Sequence, residues 1–235
     1  MTDTATPPPA LAAFGLPRRL LAEFLGTGIL VATVVGSGIA AQRLSPDDVG
    51  LQLLENSIAT ALVLAVLIVV FIGVSGAHFN PAVTIVTAVL DGRARRPAAA
   101  LGYLAAQVVG AVAGALLANA MFGVPPGLAT TERVNPGTLL GEVVATAGLV
   151  LVILLLSRTG RERAIPLAVA GWIGAAYWFT SSTSFANPAV TIGRIVTDTF
   201  AGIAPSSAGW FILAQFGGAA LGLGLALALT PRARP

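Results

Sequence analysis

The sequence predicts an all-α membrane protein: six transmembrane helices plus two re-entrant half-helices, arranged as an inverted three-plus-three repeat. Three observations predict it. The 235 residues are 56% hydrophobic and only 10% charged, and the mean hydropathy is +0.88, values outside the range of water-soluble domains. Six segments, at about 20–42, 51–72, 97–119, 138–157, 165–182 and 208–230, are apolar enough to cross a bilayer, which takes roughly 20 residues of helix. The block Asn-Pro-Ala-Val-Thr-Ile occurs twice, at 80–85 and at 187–192, once per half of the chain. The alternating apolar and polar residues of an outer-membrane barrel are missing, which leaves a helical bundle.

Residues 1–17 read as a flexible cytoplasmic tail, because Pro7, Pro8 and Pro9 follow one another and the basic-then-apolar order of a cleavable signal is missing. The first span opens after Arg18 and Arg19 and contains Glu23. The second ends in a stretch where Gly73 and Gly76 permit a loop. Asn80 is then a helix N-cap and Pro81 a first helical residue. Only about ten residues follow before Asp91, too few to cross, since a span takes roughly 20. Residues 91–96 return the chain to the cytoplasm, and the third span carries Gln107 and Gly110.

The second half repeats that order. Glu142 lies early in the fourth span, the fifth leads to Asn187 and Pro188, and the sixth carries Gln215 and Gly218. Asn80 and Gln107 are 27 positions apart, Asn187 and Gln215 28. Three spans per copy is an odd number, so the second copy is inverted in the membrane, and the half-helices enter from opposite faces to meet at mid-depth. Residues 18–230 are therefore expected to form one domain, with repeats at about 18–119 and 138–230 and a short cytoplasmic tail at 231–235. Asn135-Pro136 is an internal control: it also reads as a helix start, but in a polar external loop.

All 13 basic residues are arginines, and an even number of spans sorts them by side. Arg18, Arg19, Arg93, Arg95, Arg96, Arg158, Arg161, Arg163, Arg232 and Arg234 fall on one side, Arg43, Arg133 and Arg194 on the other. The positive-inside rule then puts both termini in the cytoplasm of a multi-pass protein of the cell (inner) membrane. Topology and contact with membrane lipid account for the high pI without nucleic acid. There is no cysteine, and no nucleophile–base set or metal cluster is evident, so neither an enzyme nor a cofactor is expected.

A carboxylate at the centre of a span costs roughly 2.5–3.5 kcal/mol on insertion scales. Glu23 and Glu142 therefore need partners, and the backbone N–H groups of the two loops leading into the half-helices are those on offer. The alternative is an interfacial acid that reaches back to water.

The segment Ser75-Gly76-Ala77-His78-Phe79-Asn80-Pro81-Ala82-Val83-Thr84, the second Asn187-Pro188-Ala189, the paired glutamates and the two-fold repeat resemble the major intrinsic protein family, the aquaporins and aquaglyceroporins. The resemblance implies six tilted helices and two half-helices around a narrow pore in each protomer of a homotetramer. It also implies passive conduction of water or small neutral solutes. The residues agree with that. A capping asparagine uses its oxygen on helix N–H groups, which leaves its NH2 for the lumen, so Asn80 and Asn187 are the expected pore centre. The two helix N-termini carry partial positive charge, which disfavours cations and a proton wire there. Carbonyls of Gly76, Ala77 and His78, and of Ser184, Phe185 and Ala186, would supply acceptors on either side. His78 either lines the cytoplasmic approach or anchors its loop.

Counting from the two asparagines, the resemblance implies a selectivity filter of Thr60, Ala175, Ser184 and Val190, where the family usually has an aromatic residue first and an arginine last. Small side chains in their place predict a wider, less polar throat that passes glycerol-sized solutes or the similarly shaped arsenite triol. The stretch from Val190 to Ile203 also resembles a bacterial subgroup linked to arsenic detoxification. Arg194, one helical turn beyond Val190, either brings a charge to the outer mouth or pairs with Asp198. A water-selective channel, an ion-coupled secondary transporter and a scaffold with a closed pore are the other readings. They predict, respectively, no glycerol flux, flux that follows a proton gradient, and no flux at all.

Overall fold

The structure is a computed structural model that describes residues 14–90 and 97–230. Most of the expected N-terminal tail, the return loop at 91–96 with Arg93, Arg95 and Arg96, and the tail at 231–235 with Arg232 and Arg234 lie outside the described residues. The described chain contains eight α-helices and two 3-10 turns: α1 Leu16–Leu44, α2 Val49–Ser75, α3 Pro81–Leu90, α4 Pro97–Phe122, α5 Pro136–Arg158, α6 Ile165–Phe179, α7 Pro188–Gly193 and α8 Pro205–Leu229, with the turns at Glu162–Ala164 and Arg194–Val196.

Five of these, α1, α2, α4, α5 and α8, have 23 to 29 residues and are apolar enough to cross a membrane. At about 1.5 Å per residue each exceeds the roughly 30 Å hydrocarbon core. The fifth crossing is shorter than the sequence suggests. Its α-helix α6 has only 15 residues, entered through the 3-10 turn Glu162–Ala164 and left at Thr180, because the next residues unwind into the loop before α7. Large side chains such as Leu62, Val66, Leu213 and Leu221 are at least half exposed, the inverse of a soluble core and suited to lipid.

Local chemistry sets the helix ends. Asp48 caps α2 through Leu51 N at 2.9 Å, and α2 stops where Gly76 turns left-handed, with φ 92°. Asn135 makes a reciprocal capping box with Thr138, accepting from its N–H at 3.0 Å while Thr138 Oγ1 accepts from Asn135 N at 2.9 Å. The control is thus a plain helix start.

α1 packs along α4 and α2, and α5 along α8 and α6, the same arrangement in each half. Glycines allow it. A Cβ on Gly110 would lie 2.4 Å from the Phe24 carbonyl oxygen, and one on Gly114 2.1 Å from that of Gly28; in the second half Gly218 meets Val143 at 2.5 Å and Gly222 meets Ala147 at 2.4 Å. With lipid on the outside, backbone proximity of this kind replaces the hydrophobic effect as the force holding helices together. Gly114→Ala should therefore destabilise the fold by about 1–3 kcal/mol through overpacking. Gly224→Ala, where nothing lies within 4 Å, should not; thermal unfolding of both variants in detergent checks the pair.

Candidate functional site

The half-helices α3 and α7 meet end to end. Asn80 Oδ1 accepts from Ala82 N at 2.9 Å, and Asn187 Oδ1 from Ala189 N at 2.9 Å and Val190 N at 3.3 Å. Each side-chain amide then crosses to the other loop: Asn80 Nδ2 donates to the Ala186 carbonyl at 2.7 Å, and Asn187 Nδ2 to that of Phe79, also at 2.7 Å. One amide hydrogen of each asparagine is therefore spent on the junction, and one is left for the lumen, instead of the two that capping alone allows. The same bond engages the Ala186 carbonyl, one of the six expected to supply acceptors to the lumen. Ala77, Gly76, Ser184 and Phe185 carbonyls accept nothing from the described protein groups.

The loops reach this arrangement through unusual backbone. Ala77, Phe79, Thr183, Ser184 and Ala186 all have φ between 48° and 59°, a left-handed conformation that costs non-glycine residues about 1–3 kcal/mol each. Two buried carboxylates offset that cost. Glu23 Oε1 accepts from Ser75 Oγ at 2.6 Å and His78 N at 3.0 Å, and its Oε2 from Phe79 N and Gln107 Nε2, both at 2.7 Å. Glu142 accepts from Phe185 N and Ala186 N at 2.8 Å and from Gln215 Nε2 at 2.6 Å. Both glutamates are 0% exposed, so neither reaches back to water. Gln107 and Gln215 extend the pattern to Thr84 and Thr191 at 2.9 Å, whose hydroxyls donate to the carbonyls of Asn80 and Asn187. The two halves thus carry matching networks through the glutamate, glutamine and threonine of each. Ser75 and Ser182 complete it by accepting from Ala77 N and Ser184 N at 3.1 and 3.2 Å, a role that their place two residues before each left-handed residue could have signalled.

The loop residues Gly76, Ala77, His78, Ser184, Phe185 and Ala186 line a cavity of about 930 Å³. It runs from Leu90, Arg158 and Glu162 past Asn80 and Asn187 to Arg194. Much of the rest of its lining is apolar, Leu30, Leu64, Val83, Leu149 and Ile173 included. His78 does both of the things proposed for it: it lines the cavity, its Nδ1 is 3.1 Å from Thr84 Oγ1, and its ring packs against Tyr103.

Thr60, Ser184 and Val190 line the cavity as counted, and Ala175 does not: it is exposed on α6. The lining residues of α6 are Ile173 and Tyr177, one turn apart on the same face, and Ala175 between them points away because successive helical residues are rotated by about 100°. The Tyr177 hydroxyl donates to Thr60 Oγ1 at 3.2 Å, so an aromatic ring lines the cavity beside Thr60. An arginine does too. Arg194, 3% exposed, sits with its guanidinium carbon 3.4 Å from the centre of the Phe185 ring and its Nε donating to the Ala201 carbonyl. Asp198 is not its partner, since its Oδ1 accepts from Thr130 N and Oγ1 at 2.9 and 3.0 Å.

A second cavity of about 490 Å³, lined by Thr131, Arg133, Thr183, Asp198 and Phe200 among others, lies outside the first, and Arg194 lines both. An aromatic ring and a cation thus line the cavity together with Thr60, Ser184 and Val190, supplied by Tyr177 and Arg194. The pair Ile173 and Tyr177, four residues apart, was the available sign of the first. The place of Arg194 one helical turn beyond Val190 left two outcomes open, and the 3-10 turn Arg194–Val196 holds it against the cavity and not on Asp198.

Comparison with known proteins agrees with this architecture. The profile of the major intrinsic protein family matches residues 11–184. Aquaglyceroporin AqpS of Rhizobium meliloti (strain 1021) is 50% identical over 223 residues, 94% of each chain. A probable TIP-type aquaporin of Medicago truncatula is 35% identical over 75% of this chain and 74% of its own. The X-ray structure of the aquaglyceroporin from Plasmodium falciparum superposes with a TM-score of 0.69 at 21% identity, over 90% of this chain and 95% of that one, a likeness of fold.

Proposed function

The chain belongs to the major intrinsic protein family, and on that premise we propose how its site works: Asn80 and Asn187 orient water and small neutral solutes at the centre of a passive channel, and Tyr177, Thr60, Val190 and Arg194 select among them. The protein is a channel for water and solutes of glycerol size, and no enzyme. One observation carries the reading of the site: two crosswise-bonded asparagines line a cavity whose remaining lining is largely apolar. A solute gliding along such a passage finds donors from the asparagines and acceptors from the loop carbonyls on one side, and gives up no strong interaction on the other. A cation meets two helix N-termini instead.

Glycerol, and an arsenic triol of the same shape, suit a throat with a tyrosine hydroxyl, a guanidinium and small side chains. Homotetramers in the cell inner membrane complete the reading, as the family resemblance implies, and the arginine bias supports cytoplasmic termini. Glu23 and Glu142 are occupied as loop acceptors, which disfavours an ion-coupled transporter relying on them. Stopped-flow swelling of proteoliposomes in glycerol, urea and arsenite tests the channel: flux should rise linearly with concentration and ignore a proton gradient, whereas water flux alone would make it water-selective. Val190→Arg adds a second guanidinium to the wall and should cut glycerol flux on the order of tenfold, a barrier of about 1.4 kcal/mol, and water flux less. Equal loss of both would remove Val190 from the filter.

A further inference from the structure

The outer cavity is lined by two arginines whose guanidinium donors are only partly used within the described protein. Arg194 is buried, and Nε is the one nitrogen of its guanidinium with a protein acceptor among the described residues; its two Nη groups, four N–H in all, are unspent. Arg133 is half-buried. It gives Nε to the Gly202 carbonyl at 2.7 Å and Nη2 to that of Phe200 at 2.8 Å, and its Nη1 has no described acceptor. The two guanidinium carbons lie 3.4 and 5.5 Å from the centre of one ring, that of Phe185. Asp198 is the one acid lining the outer cavity, and one of its oxygens is taken by Thr130. Neither arginine forms an ion pair among the described residues. A guanidinium withdrawn from bulk water without an anionic partner is strongly disfavoured, and this one lines a cavity large enough to hold a partner.

We propose that the outer cavity is a binding site for a small, planar, monovalent oxyanion, of which formate and nitrate are the simplest, and that an anion seated there blocks the channel. Planarity follows from the paired Nη groups of Arg194, a rigid fork that matches two oxygens of one flat group. Single charge follows from two cations against one carboxylate. Blockage follows from position, since Arg194 lines both cavities and an anion bound to it stands between them. The blocking half of the inference rests on the channel reading; the binding half does not.

The test has two arms. In detergent, line broadening of the chloride NMR signal by the full-length protein should be reversed by formate and nitrate, and not by the bulky anion gluconate. In proteoliposomes, external formate should lower water flux at least about threefold in a saturable way relative to gluconate at equal osmolarity. Arg133→Gln should raise the half-blocking formate concentration about tenfold. Arg194→Lys keeps the charge but loses the fork, and should abolish the preference for formate over chloride. Water flux that formate leaves unchanged, together with no displacement of chloride, overturns the inference and leaves the channel reading intact. Displacement without any basal flux overturns the channel reading alone. Equal block in wild type and both variants removes the arginines from the site.

Discussion

Glu142→Ala is expected to abolish solute flux and to leave little folded protein in detergent. The carboxylate accepts from Phe185 N, Ala186 N and Gln215 Nε2, in a place with 0% exposure. Each orphaned buried donor costs about 1–3 kcal/mol, so three cost a total comparable with the 5–15 kcal/mol stability of a typical domain. The loop also loses what holds its left-handed residues Thr183, Ser184 and Ala186, so the carbonyls leave the cavity wall. Glu142→Gln is the sharper variant. It keeps the volume but turns an NH2 toward groups that are themselves donors, and should fail nearly as badly. Thermal unfolding and glycerol flux read both; a Gln variant with wild-type stability and flux would show that packing, and not acceptance, is what the site needs. Glu23→Gln should behave alike, because Glu23 accepts four hydrogen bonds of the same kind.

Asn187→Asp is expected to turn a cation-tight channel into a leaky one while lowering neutral solute flux at least about tenfold, or about 1.4 kcal/mol of barrier. The substitution keeps the cap, since an aspartate oxygen still accepts from Ala189 N and Val190 N. It removes the N–H that bonds the Phe79 carbonyl at 2.7 Å and the second N–H that serves the lumen, and replaces both with negative charge. That charge offsets the two positive helix ends and gives a cation a place to rest. Sodium leak across planar bilayers, compared with Asn187→Ala, separates the effects: alanine should lose flux without gaining leak. An aspartate variant with no cation current would refute charge exclusion at this point.

These outcomes depend on parts of the molecule that differ in how openly the sequence declares them. Asn80, Asn187 and Asn135 all read as helix starts, and each begins a helix, because an N-cap and the proline after it act on the next three residues only. Duplication of Glu23, Asn80 and Gln107 as Glu142, Asn187 and Gln215 was enough to place the two networks in equivalent positions. Counting along the chain failed at Ala175. A fixed spacing carries over only while every intervening residue keeps the same conformation, and between Phe179 and Asn187 the chain leaves the helix and visits the left-handed region three times. The count therefore lands on the wrong face of α6, and Tyr177 and Ile173 line the cavity instead.

The sequence by itself determined that this is a helical membrane protein with two matched half-helices, that their caps carry amides, and that a buried acid accompanies each. Those follow from hydropathy, from capping chemistry within a few residues and from repetition, all of which are local or countable. Only the tertiary structure decided that the amides spend one hydrogen each on the opposite loop, that Tyr177 puts an aromatic ring beside Thr60, and that Arg194 lines the cavity. Each of these needs a partner from a distant segment, the Phe79 and Ala186 carbonyls, the Thr60 hydroxyl, the Ala201 carbonyl and the Phe185 ring. Such partners are brought into reach by the packing of the two inverted halves, and the residues themselves carry no mark of it.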